Sequence, residues 1–461
     1  MILMRDKIVL YMSGNYAEIL KYLPKYLDEY EFIAFNQNYK AHKICYKNKS
    51  FSNSFYLFDS FNNHYKKFRN KPIDKAINGF KVLITDKSHF KKLKGIDQER
   101  IINTMYHIFL EWINQTKPNF IFIPIIESID SMLLYEISKA LKIEVICYCH
   151  ARHLNVSFFS DSYLELLPPF YKTIEPNESH IKRAKISTSN LKSSREKLSY
   201  QTLLEQMFRS FENKDQLPYT IQKNFFVRFI INIKLKLTNE RKNQLLLFWI
   251  KFQVFIEKML LPIQKIIYSI FEKYYIKPLN DLPNKFDFFP LHFSPESSIN
   301  TPAPYYIDQL RVIDKILLEK DNNDILLVKE HPSMFLKRNF SFYKKIKHTP
   351  YVRIINKNFN SQEIVDRAST VYSVTGTACM EAYYKNKKWK MFGKNFLSEY
   401  INDNTKNSPL DFSINVLKSS GNFILISPPR EKGLKRSTLF AEQNLINMSN
   451  YFRFYIDNLK K

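Results

Sequence analysis

Short apolar runs alternate with helical-period segments along the first part of the chain. KIVLYM (residues 7–12) is apolar throughout and predicts a buried strand, followed by Ser13-Gly14-Asn15 and a helix over 16–27. FIAF (32–35) reads as a second short strand. Residues 97–116 place Ile101, Met105, Ile108, Phe109 and Trp112 on one helical face, with Asp97 as N-cap. NFIFIPII then reads as a fully apolar strand, 128–141 as a helix and IEVICYC as another apolar strand. Strand, helix, strand at this spacing is a βαβ unit, hence a parallel sheet covered on both faces. Residues 1–175 are therefore expected to form a Rossmann-like domain.

A second α/β pattern begins near residue 285. FDFFPLHF, DILLVKEHP, YVRIIN, TVYSVT and KWKMFG predict strands. Helices are expected over 305–319, in SQEIVDRAS with Ser361 as cap, and in TACMEAYYKN. This second Rossmann-like domain is expected over 285–437, with a last helix over 438–461. The two halves would place a cleft between the carboxyl ends of their strands, where ligands of such sheets bind.

The intervening residues 176–284 are lysine-rich, aromatic and helical in pattern. From Asn224 to Pro278 they carry ten Lys or Arg against three Glu, and no charge-free run approaches the ~18 residues of a spanning helix. The segment reads either as a helical insertion packed on the core or as an interfacial element with lysines on anionic lipid.

Composition narrows the class. With 45% hydrophobic and 15% aromatic residues the chain is globular, and 461 residues make two or three domains. The four cysteines show no ladder spacing, and Cys147 and Cys149 lack a second pair for a zinc site. The opening MILMRDKIVLYMSGNY is too polar after a short apolar run for a signal peptide, so a cytoplasmic protein is expected. The net charge of +26 accompanies lysine abundance everywhere, so it is either a solvated basic surface or an attraction to phosphorylated substrate, membrane or nucleic acid. No recognition-helix or RNP-like motif supports nucleic acid.

Three polar clusters fall at expected strand ends of the second half. In SVTGTACMEA, Gly376 stands where strand meets helix, and there a glycine permits a sharp turn and a close ligand approach. The helix that follows favours an anion, with Ser373, Thr375 and Thr377 adding hydroxyls and Glu381 one turn further in. In KEHP, Lys329 and His331 can donate to a phosphate beside Glu330. His292 and Glu296 form a similar cluster between Pro290 and Pro295. No D-x-D motif is present, and Lys329, His331 and a helix N-terminus could neutralise a leaving phosphate, so no metal and no other cofactor is expected. Candidates for acid–base or nucleophilic chemistry come from the first half: Glu127 and Asp130 after NFIFIPII, and His150, Arg152 and Asp161 in CYCHARHLNVSFFSD.

PLHFSPE, then VKEHP, then VTGTACMEA, then MFG, in this order and spacing over about 285–400, resemble the capsular polysaccharide biosynthesis glycosyltransferases, which include the capsular Kdo (3-deoxy-octulosonic acid) transferases. The resemblance implies a GT-B fold with donor nucleotide held by the C-terminal domain and an activated-sugar donor, CMP-linked in the Kdo branch. It implies that His331 contacts the donor phosphate, that Ser373, Thr375, Gly376 and Thr377 line it, and that Glu381 meets the ribose or base. The CYCHARHLNVSFFSD segment departs from the acidic-glycine pattern of the Kdo branch. The expected partners are a nucleotide sugar, a glycan or glycolipid acceptor and an anionic membrane surface on the inner face of the cell membrane. Two other readings stay open: a polyol-phosphate transferase of the teichoic-acid type, and a non-catalytic scaffold of the assembly complex.

Overall fold

The structure is a computed structural model. It describes residues 5–13, 16–47, 50–85, 93–151, 154, 156–192, 266, 283–293, 297–320, 323–331, 334, 338–355, 359–403, 408–425 and 442–461. The chain divides into two units, Met1–Asn213 with Asn395–Lys461, and Lys214–Lys394.

The first unit holds a six-stranded sheet of β1 (Lys7–Met12), β2 (Glu31–Asn36), β3 (Asn53–Tyr56), β4 (Phe120–Ile123), β5 (Glu144–Ala151) and β6 (Val156–Ser160), in the order β3-β2-β1-β4-β5-β6. β1 to β5 pair in parallel, and β6 returns antiparallel along β5. The apolar runs became strands because each is covered on both faces: Ile8 to Met12 and Phe120 to Ile123 are buried at every position. The helix expected over 16–27 is two pieces, Tyr16–Leu20 and Leu23–Tyr26, with Pro24 in the first turn of the second. The helix Gly95–Thr116 starts at Lys94 as N-cap, leaving Asp97 in its first turn. Ser128 caps Ile129–Ala140 through a reciprocal bond with Ser131.

The pattern grouped residues 395–437 with the second sheet, whereas Asn395–Lys461 packs in the first unit. The reason lies in its side chains. Gly421 pairs with Ser157 on β6 by two backbone bonds of 3.0 and 2.7 Å. In the last helix, Glu442–Leu459, Phe452 packs against Phe122 and Phe159, and Tyr455 against Phe159 and Phe170. Of the segment 176–284, the helix Glu178–Lys192 packs here too, with Thr188 Oγ1 3.2 Å from Ser413 Oγ. The insertion expected beyond Lys192, with its membrane-binding reading, lies outside the described residues apart from Ile266 and residues 283–284. No described helix is long and apolar enough to cross a membrane.

The second unit is a five-stranded, all-parallel sheet: β7 (Phe286–Pro290), β8 (Ile325–Lys329), β9 (Val352–Ile355), β10 (Thr370–Ser373) and β11 (Lys388–Met391), in the order β11-β10-β7-β8-β9. Alternate residues feed two cores. Phe289, Leu326, Val328, Val352 and Ile354 face the helices Gln309–Glu319 and Phe340–His348. Phe286, Phe288, Leu327 and Val371 face Ser361–Arg367 and Thr377–Tyr384. The cap of Ser361–Arg367 is Asn360, whose side chain accepts from Gln362 N, with Ser361 the first helical residue. Both units are thus Rossmann-like, the GT-B-like α/β class. In each, the chain builds outward from its first strand in one direction and then in the other. The reversal falls between β1 and β4 in the first unit and between β7 and β10 in the second. In open α/β sheets, ligands bind outside the carboxyl strand ends at such a reversal.

Candidate functional site

The loops leaving β7 and β10 meet at the reversal of the second sheet. His292, two residues beyond β7, is 8% exposed. Its backbone is held on both sides by Gln309: His292 N donates to Oε1 (2.7 Å) and Gln309 Nε2 donates to the His292 carbonyl (3.0 Å). Its ring reaches β10, where Val374 N donates to Nε2 at 3.1 Å and Ser373 Oγ lies 3.3 Å away. A backbone N–H can only donate, so Nε2 carries no proton and the ring is neutral with its proton on Nδ1. Ser373 Oγ in turn accepts from Gly376 N at 2.6 Å.

This arrangement explains the glycine differently from the sequence. Gly376 has φ −80° and ψ 163°, extended backbone that any residue adopts. A Cβ there would stand 2.6 Å from His292 Cε1 and 2.8 Å from Ser373 Oγ. The close approach is made by the protein's own histidine. Gly393, from the MFG motif, is required in the same way: its Cβ would lie 2.6 Å from Thr375 Cγ2 and 2.9 Å from Ala303 Cβ. The turn is therefore braced from both sides. Gly376 is the N-cap of Thr377–Tyr384, no side chain caps that helix, and both Gly376 and Thr377 are half-exposed. Thr375 and Glu381 are buried beside and within it. A helix start of this kind attracts anions.

KEHP is divided between support and surface. Glu330 is 2% exposed, and its carboxylate accepts from His331 N (2.7 Å), Tyr343 Oη (2.7 Å) and Arg338 Nε (2.9 Å). Arg338 also donates through Nη2 to the His292 carbonyl at 2.5 Å. Glu330, expected among donor-binding residues, thus holds the loops after β7 and β8 to each other. Lys329 is buried and its Nζ donates to Ser361 Oγ at 2.6 Å. His331 is half-buried, its ring 5.9 Å from that of Phe293. Glu296 lies outside the described residues. Gln309, Arg338 and Tyr343 were not singled out in the sequence. For Gln309 and Tyr343 the signal is a polar group beside an apolar helix stripe, and Arg338 stands in the loop before Phe340–His348; each becomes meaningful only once its partner is known.

The first unit carries a corresponding cluster between β1 and β4. Tyr11 Oη donates to Asp130 Oδ2 at 2.5 Å, and Gln37 Nε2 lies 3.3 Å from Ser128 Oγ and 3.4 Å from Asp130 Oδ1. Burial pushes the carboxyl of Asp130 up, and burial together with that carboxyl pushes the Tyr11 phenol up. Glu127 is half-buried beside them, its N–H on Ser131 Oγ at 3.2 Å. His150 is near the end of β5. Asp161 is separated from these groups: because β6 runs back along β5, it follows Ser160, which is level with Cys147, and it pairs with Lys139 at 3.6 Å. Arg152 lies outside the described residues. All four cysteines are free and buried.

Asp130 gives a pH prediction. A carboxyl raised in the folded protein binds more protons folded than unfolded. Its contribution to stability is therefore present below the ordinary carboxylate pKa of about 4 and is lost as pH climbs through the raised value. Asp130→Asn removes that loss. Urea unfolding should show the variant gaining on wild type between pH 4 and pH 8, and a constant difference contradicts this.

No family model and no curated protein matches the chain. Distant solved structures do. KpsC of Thermosulfurimonas dismutans, a beta Kdo 2,7 transferase, is 13% identical over 74% of this chain and 89% of its own, with a TM-score of 0.31. The UDP-GlcNAc 2-epimerase of Methanocaldococcus jannaschii, solved with UDP-GlcNAc and UDP, is 11% identical over 95% of this chain and 98% of its own, at 0.24. S. aureus MnaA with UDP is 10% identical over 99% and 98%, at 0.23. At such distances the chemistry has to be read from this chain's own residues.

Proposed function

We propose that the chain is a nucleotide-sugar-dependent glycosyltransferase of capsule or other surface-polysaccharide assembly, with Kdo from CMP-Kdo the donor that its motifs suggest. The observation that carries the reading is the braced turn Ser373–Thr377 at the reversal of the second sheet. His292, Ser373 and Gly376 are consumed in bracing it, which leaves the first N–H groups of Thr377–Tyr384 and the Thr377 hydroxyl for a phosphate. His331 supplies a further donor from the neighbouring loop. Neutralising the leaving phosphate in this way requires no metal ion. In the first unit, Glu127 is assigned as base for the acceptor hydroxyl, and Asp130, buried on Tyr11, as support.

His331→Ala should lower transfer about ten- to a hundredfold, the worth of one charge-assisted contact of roughly 1.5–3 kcal/mol, without changing the unfolding midpoint. Transfer from CMP-Kdo and other nucleotide sugars, followed with and without EDTA, tests both parts. Wild-type turnover by the variant contradicts the phosphate role, and loss on chelation restored by magnesium contradicts the metal-free reading.

A further inference from the structure

The second unit carries a separate groove of about 350 Å³, lined by Leu310, Met334, Arg338, Asn339, Ser341, Phe342 and Lys345. That volume suits a small molecule. Its lining contains no carboxylate. Arg338 is 8% exposed and spends Nε on Glu330 and Nη2 on His292, while Nη1 makes no hydrogen bond among the described residues. The guanidinium is thus held rigidly, 4.7 Å over the Phe342 ring, with both N–H groups of Nη1 left over. The Lys345 ammonium, the Ser341 hydroxyl and the Asn339 amide also have no partner among the described residues.

The groove is thus lined by a fixed guanidinium and the Lys345 ammonium with no carboxylate among the lining residues, by the polar Asn339 and Ser341, and by the apolar Leu310, Met334 and Phe342. Asn339, Ser341 and Lys345 are exposed, so there an anionic ligand would take the place of water, while the held guanidinium offers it a charge-assisted contact. We propose that this groove binds the phosphoryl group of a small molecule or lipid headgroup, at a site distinct from the turn after β10. Nη1 of Arg338 donates to phosphoryl oxygen, Lys345 adds charge, and the apolar lining takes the adjoining body of the ligand. The groove stands on its own geometry and does not require the reading of the braced turn.

The test is calorimetric titration of the full chain with inorganic pyrophosphate. Arg338 is left intact because it also supports His292. Ser341→Ala/Lys345→Glu alters two exposed side chains, so the fold is retained. Pyrophosphate affinity should fall about tenfold or more in this variant and persist in His331→Ala. Unchanged affinity in the groove variant, loss only in His331→Ala, or no binding by wild type each overturns the proposal. Co-sedimentation with phosphatidylcholine vesicles with and without phosphatidic acid identifies the source. Recovery on phosphatidic acid that the groove variant loses supports a lipid headgroup, and recovery indifferent to the variant while pyrophosphate binding is lost supports a soluble phosphate.

Discussion

Gly376→Ala is expected to destabilise the second unit by about 1–3 kcal/mol and to cost it nucleotide affinity as well. The backbone conformation tolerates alanine, so the penalty is one of space: the new methyl meets His292 Cε1 at 2.6 Å and Ser373 Oγ at 2.8 Å. Relief requires the ring to leave Val374 N, or Ser373 to leave Gly376 N, and either shift moves the start of Thr377–Tyr384. The effect should therefore depend on the histidine. In a His292→Ala background the glycine substitution should cost less than half as much, a coupling that a double-mutant cycle of urea unfolding reads directly. Additive effects of the two substitutions contradict the packing described.

Lys320→Met carries the larger effect on stability, about 3–5 kcal/mol. Asp287 is the second residue of β7, the central strand of its sheet, and is fully buried. Its only ion partner among the described residues is Lys320, at the end of Gln309–Glu319, with Nζ 3.1 Å from Oδ2 and 5% of the side chain exposed. Lys320 Nζ also donates to the Asp324 carbonyl. Removing the ammonium leaves an uncompensated carboxylate in the core, and a loss of this size is a large part of the 5–15 kcal/mol typical of a domain. Replacing both partners, as Asp287→Val/Lys320→Met, should recover at least half of it, since valine suits a strand position covered on both faces. Guanidinium unfolding of the two variants decides the matter, and a single variant within 1 kcal/mol of wild type contradicts the account.

Much of this architecture was legible in the chain. KIVLYM is β1 residue for residue, and the apolar cores of FDFFPLHF, DILLVKEHP and TVYSVT became β7, β8 and β10, because strands buried on both faces leave continuous apolar runs. The hairpin β5–β6 was not foreseen, since VSFFS follows CYCHARHLN without a turn signature, and with it Asp161 moved away from the strand ends. The return of 395–461 to the first unit was equally hidden, because amphipathic helices show which face is apolar but not which surface they cover. At the site, residue types were readable and roles were not. Glu330 and His292 stand in ligand-like motifs, yet the bonds that fix their roles include those to Arg338, Tyr343, Gln309 and Val374, 8 to 82 positions away in sequence.

In the proposed function a nucleotide's phosphate rests on the turn after β10. This is tested most directly by titrating the full chain with the best binder among CMP, CDP, UMP, UDP and GDP and, beside it, the same nucleoside without phosphate. The nucleotide should bind wild type about tenfold or more tighter than its nucleoside, the worth of charge-assisted contacts to the phosphate. That advantage should collapse in His331→Ala and Gly376→Ala while nucleoside affinity holds, and should survive in Ser341→Ala/Lys345→Glu. Failure of every nucleotide to bind, or an advantage that persists in the two turn variants, would contradict it.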